Sequence, residues 1–299
     1  MLLRHPVLVI LLVVIASCSA DQPGDRKQTL IAKADSLKKK PAKDSTAPLP
    51  LSYHFEYKSV WKQKDTFPGY THKTILAAIN RVDEQHLQRL DSFLAPDHYT
   101  DTVADYMPFP AYSARLKDIR KIILFSYPVQ AFAAYEQGRL VLTGPTNMGK
   151  KASPTPQGLF FCNWKSKETR STVNDEWILK WNFNVSNRGG VGFHQYDLPG
   201  YPASHSCMRL WARQAEFLYG WAEQWKLSKD DKLLAKGTPV IVYGTYPFGQ
   251  PRPWFALAGS SHALDISDSL LGVMVQPHLE AILTAQAQRD SLLAVPVAL

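Results

Sequence analysis

One stretch of the chain, Gly192 to Leu210, concentrates side chains able to attack a carbonyl. It holds His194, His205, Cys207 and Arg209, with Ser204 and Ser206 beside the thiol. Acyl transfer at an amide needs a nucleophile, a base, donors for the developing oxyanion and a group that holds the substrate. Cys207 supplies the nucleophile, because the thiolate is the reactive species and a nearby imidazole can take its proton. His194 is the candidate base. It ends an expected strand thirteen positions before Cys207, and Pro199-Gly200-Tyr201-Pro202 offers a turn that folds the chain back. His205, two residues from Cys207, would point the same way in an extended segment and competes for that role. Cys207 also falls just before an expected helix, Leu210 to Trp225, whose N-terminus would favour a thiolate. His194, His205 and Cys207 are zinc-ligand types as well. The adjacent Arg209 and the want of a clear fourth ligand argue against a metal, so no metal or organic cofactor is expected.

Ser204-His205-Ser206-Cys207-Met208-Arg209-Leu210 resembles the signature of the L,D-transpeptidase (YkuD-type) family. There a Ser/Thr-His-Gly-Cys stretch precedes an apolar residue and then Arg or Asn, and His194 matches the family's upstream His. Thr155-Pro156-Gln157-Gly158, after the Gly144 to Lys150 loop, resembles a further family element. The resemblance covers roughly residues 119–243. It implies a β-sandwich-like catalytic domain with a helix after the Cys. Carried over by position, Cys207 takes the acyl group, His194 activates it, and the backbone carbonyl of Gln195 orients His194. Backbone N–H groups of His205, Ser206 and Cys207 would form the oxyanion hole, and Arg209 with Ser204 would contact substrate. The implied reaction is attack on a peptidoglycan stem peptide beside a D-residue, followed by transfer of the acyl group to an amine. With water as acceptor the same site becomes a carboxypeptidase or endopeptidase. A non-catalytic cell-wall-binding lipoprotein is the reading from another class. One departure stands out: Ser206 occupies a place where the family usually has Gly. If that backbone needs a positive φ, Ser bears a steric cost that Gly avoids.

The elements that must position these residues read as a mainly β domain with helices, an α+β class. Apolar runs at Ile119 to Phe125, Ala131 to Tyr135, Arg139 to Leu142, Gly158 to Trp164, Trp177 to Phe183 and Thr238 to Tyr243 are expected strands. This places the catalytic domain at 113–245. Before it, residues 51–112 form a small N-terminal region with an expected helix from Thr71 to Leu94. Part of it, Leu76 to Val82 with Leu94-Ala95-Pro96, resembles the second half of a glycan-binding LysM module, and a helical cap on the next domain is the reading adopted. After it, residues 246–299 form an extension, helical from His262 to Leu293 with a break at Pro277.

The N-terminus carries an address. Val7 to Ala16 is an apolar run too short to span a bilayer but suited to a signal peptide, 1–17. It ends at Ile15-Ala16-Ser17-Cys18, which resembles a bacterial lipobox with Cys18 as the acylated residue. Residues 18–50 are polar and Pro-rich, a flexible tether. The expected location is the bacterial cell envelope, lipid-anchored on the periplasmic side, the outer membrane favoured over the inner by Ser19. The formal charge of +8 is spread along the chain, which suits anionic envelope polymers and excludes the basic stripe of a nucleic-acid binder. With Cys18 lipidated, Cys162 and Cys207 either pair or divide into one buried and one reactive thiol.

Overall fold

The computed structural model describes residues 51–59, 70–171, 174 and 176–294. The expected signal segment, the tether and Cys18 lie outside the described residues. Every described residue belongs to one compact unit, Pro50–Leu299.

The N-terminal region runs strand, helix, helix, strand: β1 (Tyr53–Tyr57), α1 (Tyr70–Ile79), α2 (Glu84–Leu87) and β2 (Ser92–Pro96), with β1 and β2 antiparallel. The single helix expected over 71–94 is therefore broken. Asn80 breaks it: its side-chain amide donates to the carbonyls of Leu76 at 2.9 Å and Leu94 at 2.8 Å, and its oxygen accepts from the Leu94 N–H. Short polar side chains compete with the helix for backbone partners in this way. Arg81 then turns left-handed at φ +58°, and Asp83 caps α2 by accepting from the His86 N–H. Leu94 thus lies in a strand.

The middle of the chain forms β3 (Lys121–Ser126), β4 (Ala131–Glu136), β5 (Arg139–Pro145), β6 (Gly158–Phe161), β7 (Lys165–Arg170), β8 (Ile178–Ser186), β9 (Val191–Gln195) and β10 (Met208–Leu210). Helix α3 (Ala212–Trp221), β11 (Lys226–Leu227), β12 (Leu233–Ala235) and β13 (Pro239–Tyr243) follow. One sheet has the order β5-β4-β3-β13-β6 and a second the order β10-β9-β8-β7. β7 escapes a hydrophobicity reading because Lys-Ser-Lys-Glu-Thr-Arg is polar throughout; it closes the edge of the second sheet.

The central strands β3, β4 and β13 are buried on both faces, which explains their apolar runs. Ile123, Phe125, Phe132, Ala134, Val240 and Val242 pack against Phe183, Phe193, Met208 and Leu210 of the second sheet and against Ala215 and Leu218 of α3. Ile122, Leu124, Ala133, Tyr135 and Ile241 face the other way. They meet Ile75, Ile79 and Leu94 of the N-terminal region and Leu271, Met274 and Ile282 of the extension. Each fully buried side chain of this kind contributes roughly 1.5–3 kcal/mol of transfer free energy. The extension supplies its share through α4 (Asp268–Val275) and α5 (Leu279–Ala294), joined by a 3-10 turn at Gln276–His278 that contains Pro277. Arg81 joins the outer segments. Its Nη1 donates to Ala78 O, its Nε donates to Val129 O at 2.9 Å, and its guanidinium lies over buried Trp254. Burial pushes its pKa down to about 10.

Candidate active site

Cys207, His194 and Arg209 meet because β10 pairs in parallel with β9. The register sets Met208 opposite Phe193 and Arg209 opposite His194. Side chains alternate across a strand. Phe193, Met208 and Leu210 enter the core, and His194 and Arg209 occupy the other face with Cys207 just before the strand. The connection over 196–207 therefore wraps around to a parallel pairing rather than closing a hairpin at Pro199–Pro202. A strand also separates Cys207 from α3, which begins at Ala212, so no helix N-terminus stabilises the thiolate; that expectation is corrected.

The loop before Cys207 is held from its far side. Ser204 N donates to Met148 O at 3.1 Å, Lys150 N donates to Ser204 O at 2.9 Å, and Arg209 N donates to Asn147 O at 2.8 Å. Thr155 pins this supporting segment by accepting the Gly149 N–H at 2.9 Å. Gly149 leaves no room for a side chain: a Cβ there would stand 2.2 Å from Ser153 O. Ser204 is buried and its hydroxyl donates to Cys207 O at 2.5 Å. That bond makes it a brace of the loop that carries Cys207. Ser206 sits at φ +82°, the left-handed region in which Gly is at ease. Its hydroxyl donates to Ser153 O at 3.3 Å, turned toward the supporting loop. N–H groups flanking a left-handed residue form a concavity suited to an anion. Among the described residues, the loop's backbone bonds run through residues 203 and 204 and leave the N–H groups of Ser206 and Cys207 out.

The two histidines part company here. His194 is buried, and its Nδ1–H donates to the carbonyl of Gln195 at 3.0 Å, which leaves Nε2 as the lone-pair nitrogen. Burial, with a smaller push from Arg209, lowers its pKa to about 4. His205 Nε2 instead accepts from Lys150 Nζ at 2.8 Å, so its lone pair is already engaged. Burial and then Lys150 hold its pKa below the usual imidazole range. The positive φ at Ser206 also breaks the extended geometry that would have aimed His205 with Cys207. Cys207 is half-buried, and burial raises its thiol above the usual range; its Sγ–H donates to Gly190 O at 3.5 Å. Both shifts favour a neutral thiol beside a neutral imidazole.

The cleft is lined by His194, Cys207, His205 and Arg209 together with Trp177 and Tyr196, and offers about 30 Å³ of free space, enough for a water or two. The Arg209 guanidinium stacks over the Tyr196 ring at 4.5 Å. On the far side of Tyr196 opens a groove of about 500 Å³ walled by Asp83, Glu84, Asp197 and Trp211. Among the described residues no three His, Cys, Asp or Glu side chains group as metal ligands. Lys150, Trp177 and Tyr196 are the site residues that the motif did not mark; Lys150 ends the loop before the Thr155 element, the one signal that pointed toward it.

Residues 120–242 match the model of the YkuD family, the L,D-transpeptidase catalytic domain. This segment has the YkuD-type fold. Solved structures similar to it include an L,D-transpeptidase from Stackebrandtia nassauensis at 21% identity, covering 42% of this chain and 57% of that one with a TM-score of 0.35. Others are L,D-transpeptidases from Mycobacterium smegmatis (20% identity, 42% and 59% covered, TM-score 0.33) and from Mycobacterium tuberculosis H37Rv (20%, 42% and 58%, 0.34). The chain spans less than two thirds of the length of these structures. No curated protein matches it. The matched segment takes in β3 to β13 almost whole, including His194, Cys207 and the loop that braces them.

Proposed function

We propose that this protein carries out cysteine-dependent acyl transfer on peptidoglycan stem peptides, as an L,D-transpeptidase of the bacterial cell envelope. The observation that carries the reading is the His194 tautomer: with Nδ1–H given to Gln195 O, Nε2 is free to take a proton in the cleft it shares with Cys207. In the proposed cycle Cys207 Sγ attacks the stem carbonyl while its proton passes to His194 Nε2. The N–H groups of His205, Ser206 and Cys207 receive the oxyanion. The tetrahedral intermediate collapses to a thioester, and His194 returns the proton to the departing amine of the terminal D-residue. An amine from a second stem then attacks the thioester, His194 removes its proton, and the thiol is regenerated by that proton as the new amide forms. Arg209, stacked on Tyr196 at the cleft wall, receives the substrate carboxylate. The groove beyond Tyr196 gives the second stem its own approach, which favours transfer over hydrolysis to a carboxypeptidase or endopeptidase product.

Location belongs to the same proposal. Cleavage before Cys18 and acylation of its thiol would hold the enzyme on the periplasmic face of a membrane, the outer one by preference, with residues 18–50 as the tether. The direct test is incubation with purified tetrapeptide stems and mass spectrometry of protein and products. A Cys207 acyl adduct with loss of the terminal D-residue supports the reading, and the product distinguishes cross-link from hydrolysis. Binding of stems without adduct or product would sink it in favour of a non-catalytic wall-binding lipoprotein.

A further inference from the structure

Beyond α3, β11 and β12 form a two-stranded ribbon that no other strand joins among the described residues. A ribbon packed on a core buries alternate side chains. Here Leu233 and Leu234 are neighbours and both are exposed, at 44% and 46%, and Leu227 on the partner strand is 47% exposed. Helix α5 runs alongside and ends in Leu292 and Leu293, exposed at 37% and 56%. Between ribbon and helix lies an open groove of about 510 Å³. Leu233, Leu234 and Leu292 line that groove and Leu227 pairs with Leu233, a cluster beyond the scattered apolar residues of an ordinary surface. The ribbon segment 226–236 also carries four lysines against two aspartates, Asp230 and Asp231. Lys229 and Lys232 are exposed beside the leucines.

Leucine side chains enter the acyl boundary of a bilayer, and flanking lysines rest in an anionic headgroup layer. A folded partner would need a matching apolar face; an anionic bilayer satisfies both features at once. We propose that the β11–β12 ribbon and the end of α5 form a docking surface for an anionic lipid bilayer. This contact is separate from the acyl anchor expected at Cys18. It would hold the domain itself, rather than its tether, against the membrane.

The test uses residues 50–299, a compact unit with its own cores and without the apolar run of residues 7–16. It is floated with vesicles of phosphatidylglycerol and phosphatidylethanolamine and, separately, of neutral phosphatidylcholine. The protein should float with the anionic vesicles, less so at high salt. Leu233→Ser with Leu234→Ser should weaken binding about tenfold or more, and Lys229→Glu with Lys232→Glu should do likewise on anionic vesicles. Both variants should keep the parent's thermal midpoint and its Cys207 chemistry, since neither touches the cleft. A parent that stays with the pellet overturns the proposal, as do variants that float as well as the parent. Sedimentation supplies the other overturning result: a parent dimer that Leu233→Ser with Leu234→Ser converts to monomer, without vesicle binding, would make this face an interface between copies.

Discussion

The chain places its two described cysteines in opposite settings. Cys162 follows β6, fully buried in the core between the sheets, with its N–H given to Thr238 O at 2.9 Å. Cys207 stands on a left-turned loop at the mouth of a cleft with His194 and Arg209. Burial raises both thiols above their usual range, so a lowered pKa does not set Cys207 apart from Cys162. What separates the two is access and a neighbouring imidazole with a free lone pair. Neither is bonded to the other, so the choice between a disulfide and two distinct thiols falls to distinct thiols.

The largest effect should come from exchanging the cysteines' fates. Cys207→Ala should abolish stem turnover and the acyl adduct. Cys162→Ala should leave turnover within about twofold and cost about 1 kcal/mol of stability, the price of a small cavity. Steady-state rates and denaturant midpoints on both variants check this. Loss of turnover in the Cys162 variant at unchanged stability would erase the contrast.

The next contrast is between the histidines that flank Cys207. His194→Gln should lower kcat/KM by about 10²–10⁴-fold, the usual worth of a positioned general base. His205→Gln removes a side chain whose lone pair Lys150 already occupies, and should lower it by less than about tenfold. Equal losses would return His205 to the competition for the base.

The acidity of His194 sharpens the same point. Its folded pKa of about 4 lies below the usual imidazole value of 6.5, so the folded state refuses a proton that the unfolded state accepts. Stability is therefore full above pH 6.5 and falls as pH drops toward 4, by roughly 3 kcal/mol in total. The acid limb of kcat/KM should likewise lie near pH 4, and His194→Gln should flatten the stability slope between those values. An acid limb near 6.5 would place the working base in a more open environment than His194 occupies. Thiol labelling of the free enzyme should show Cys207 reacting faster than Cys162 through access, with a midpoint above that of an exposed thiol.

Much of this was readable in the residues, for physical reasons. Ile122–Phe125 and Ala131–Tyr135 are apolar at every position because the central strands of their sheet are covered on both faces. The spacing of His194, Ser204, Cys207 and Arg209 marked residues that the fold brings together, because all four lie on or just before two neighbouring strands. Other features depend on partners distant in sequence. Asn80 ends α1 by bonding Leu94, and the helical pattern over 71–94 carries no sign of that. Lys150 reaches His205 across 55 positions. The intervening β10, three residues long, removed the helix from Cys207 because a short strand has too few residues to show its period.

The smallest expected effect concerns Ser206, the residue that departs from the motif. At φ +82° a side chain meets backbone strain of about 1 kcal/mol or more. Its hydroxyl recovers a part by donating to Ser153 O, at 3.3 Å a long bond. Ser206→Gly relieves the strain, loses that bond and adds freedom to the unfolded chain, for a net gain of at most about 1 kcal/mol. Ser206→Ala keeps the strain and loses the bond, and should cost about 0.5–1 kcal/mol. The ordering Gly, Ser, Ala in denaturant midpoint thus isolates backbone strain from hydrogen bonding. Turnover should stay within about threefold of the parent in Ser206→Gly, because the oxyanion donors are backbone N–H groups that Gly retains. If Gly and Ala destabilise equally, the hydroxyl is what holds the nucleophile loop and the left-handed backbone costs nothing. If Gly raises turnover many-fold, the strained Ser has been holding the N–H donors away from the oxyanion, and the contrast between the two cysteines narrows.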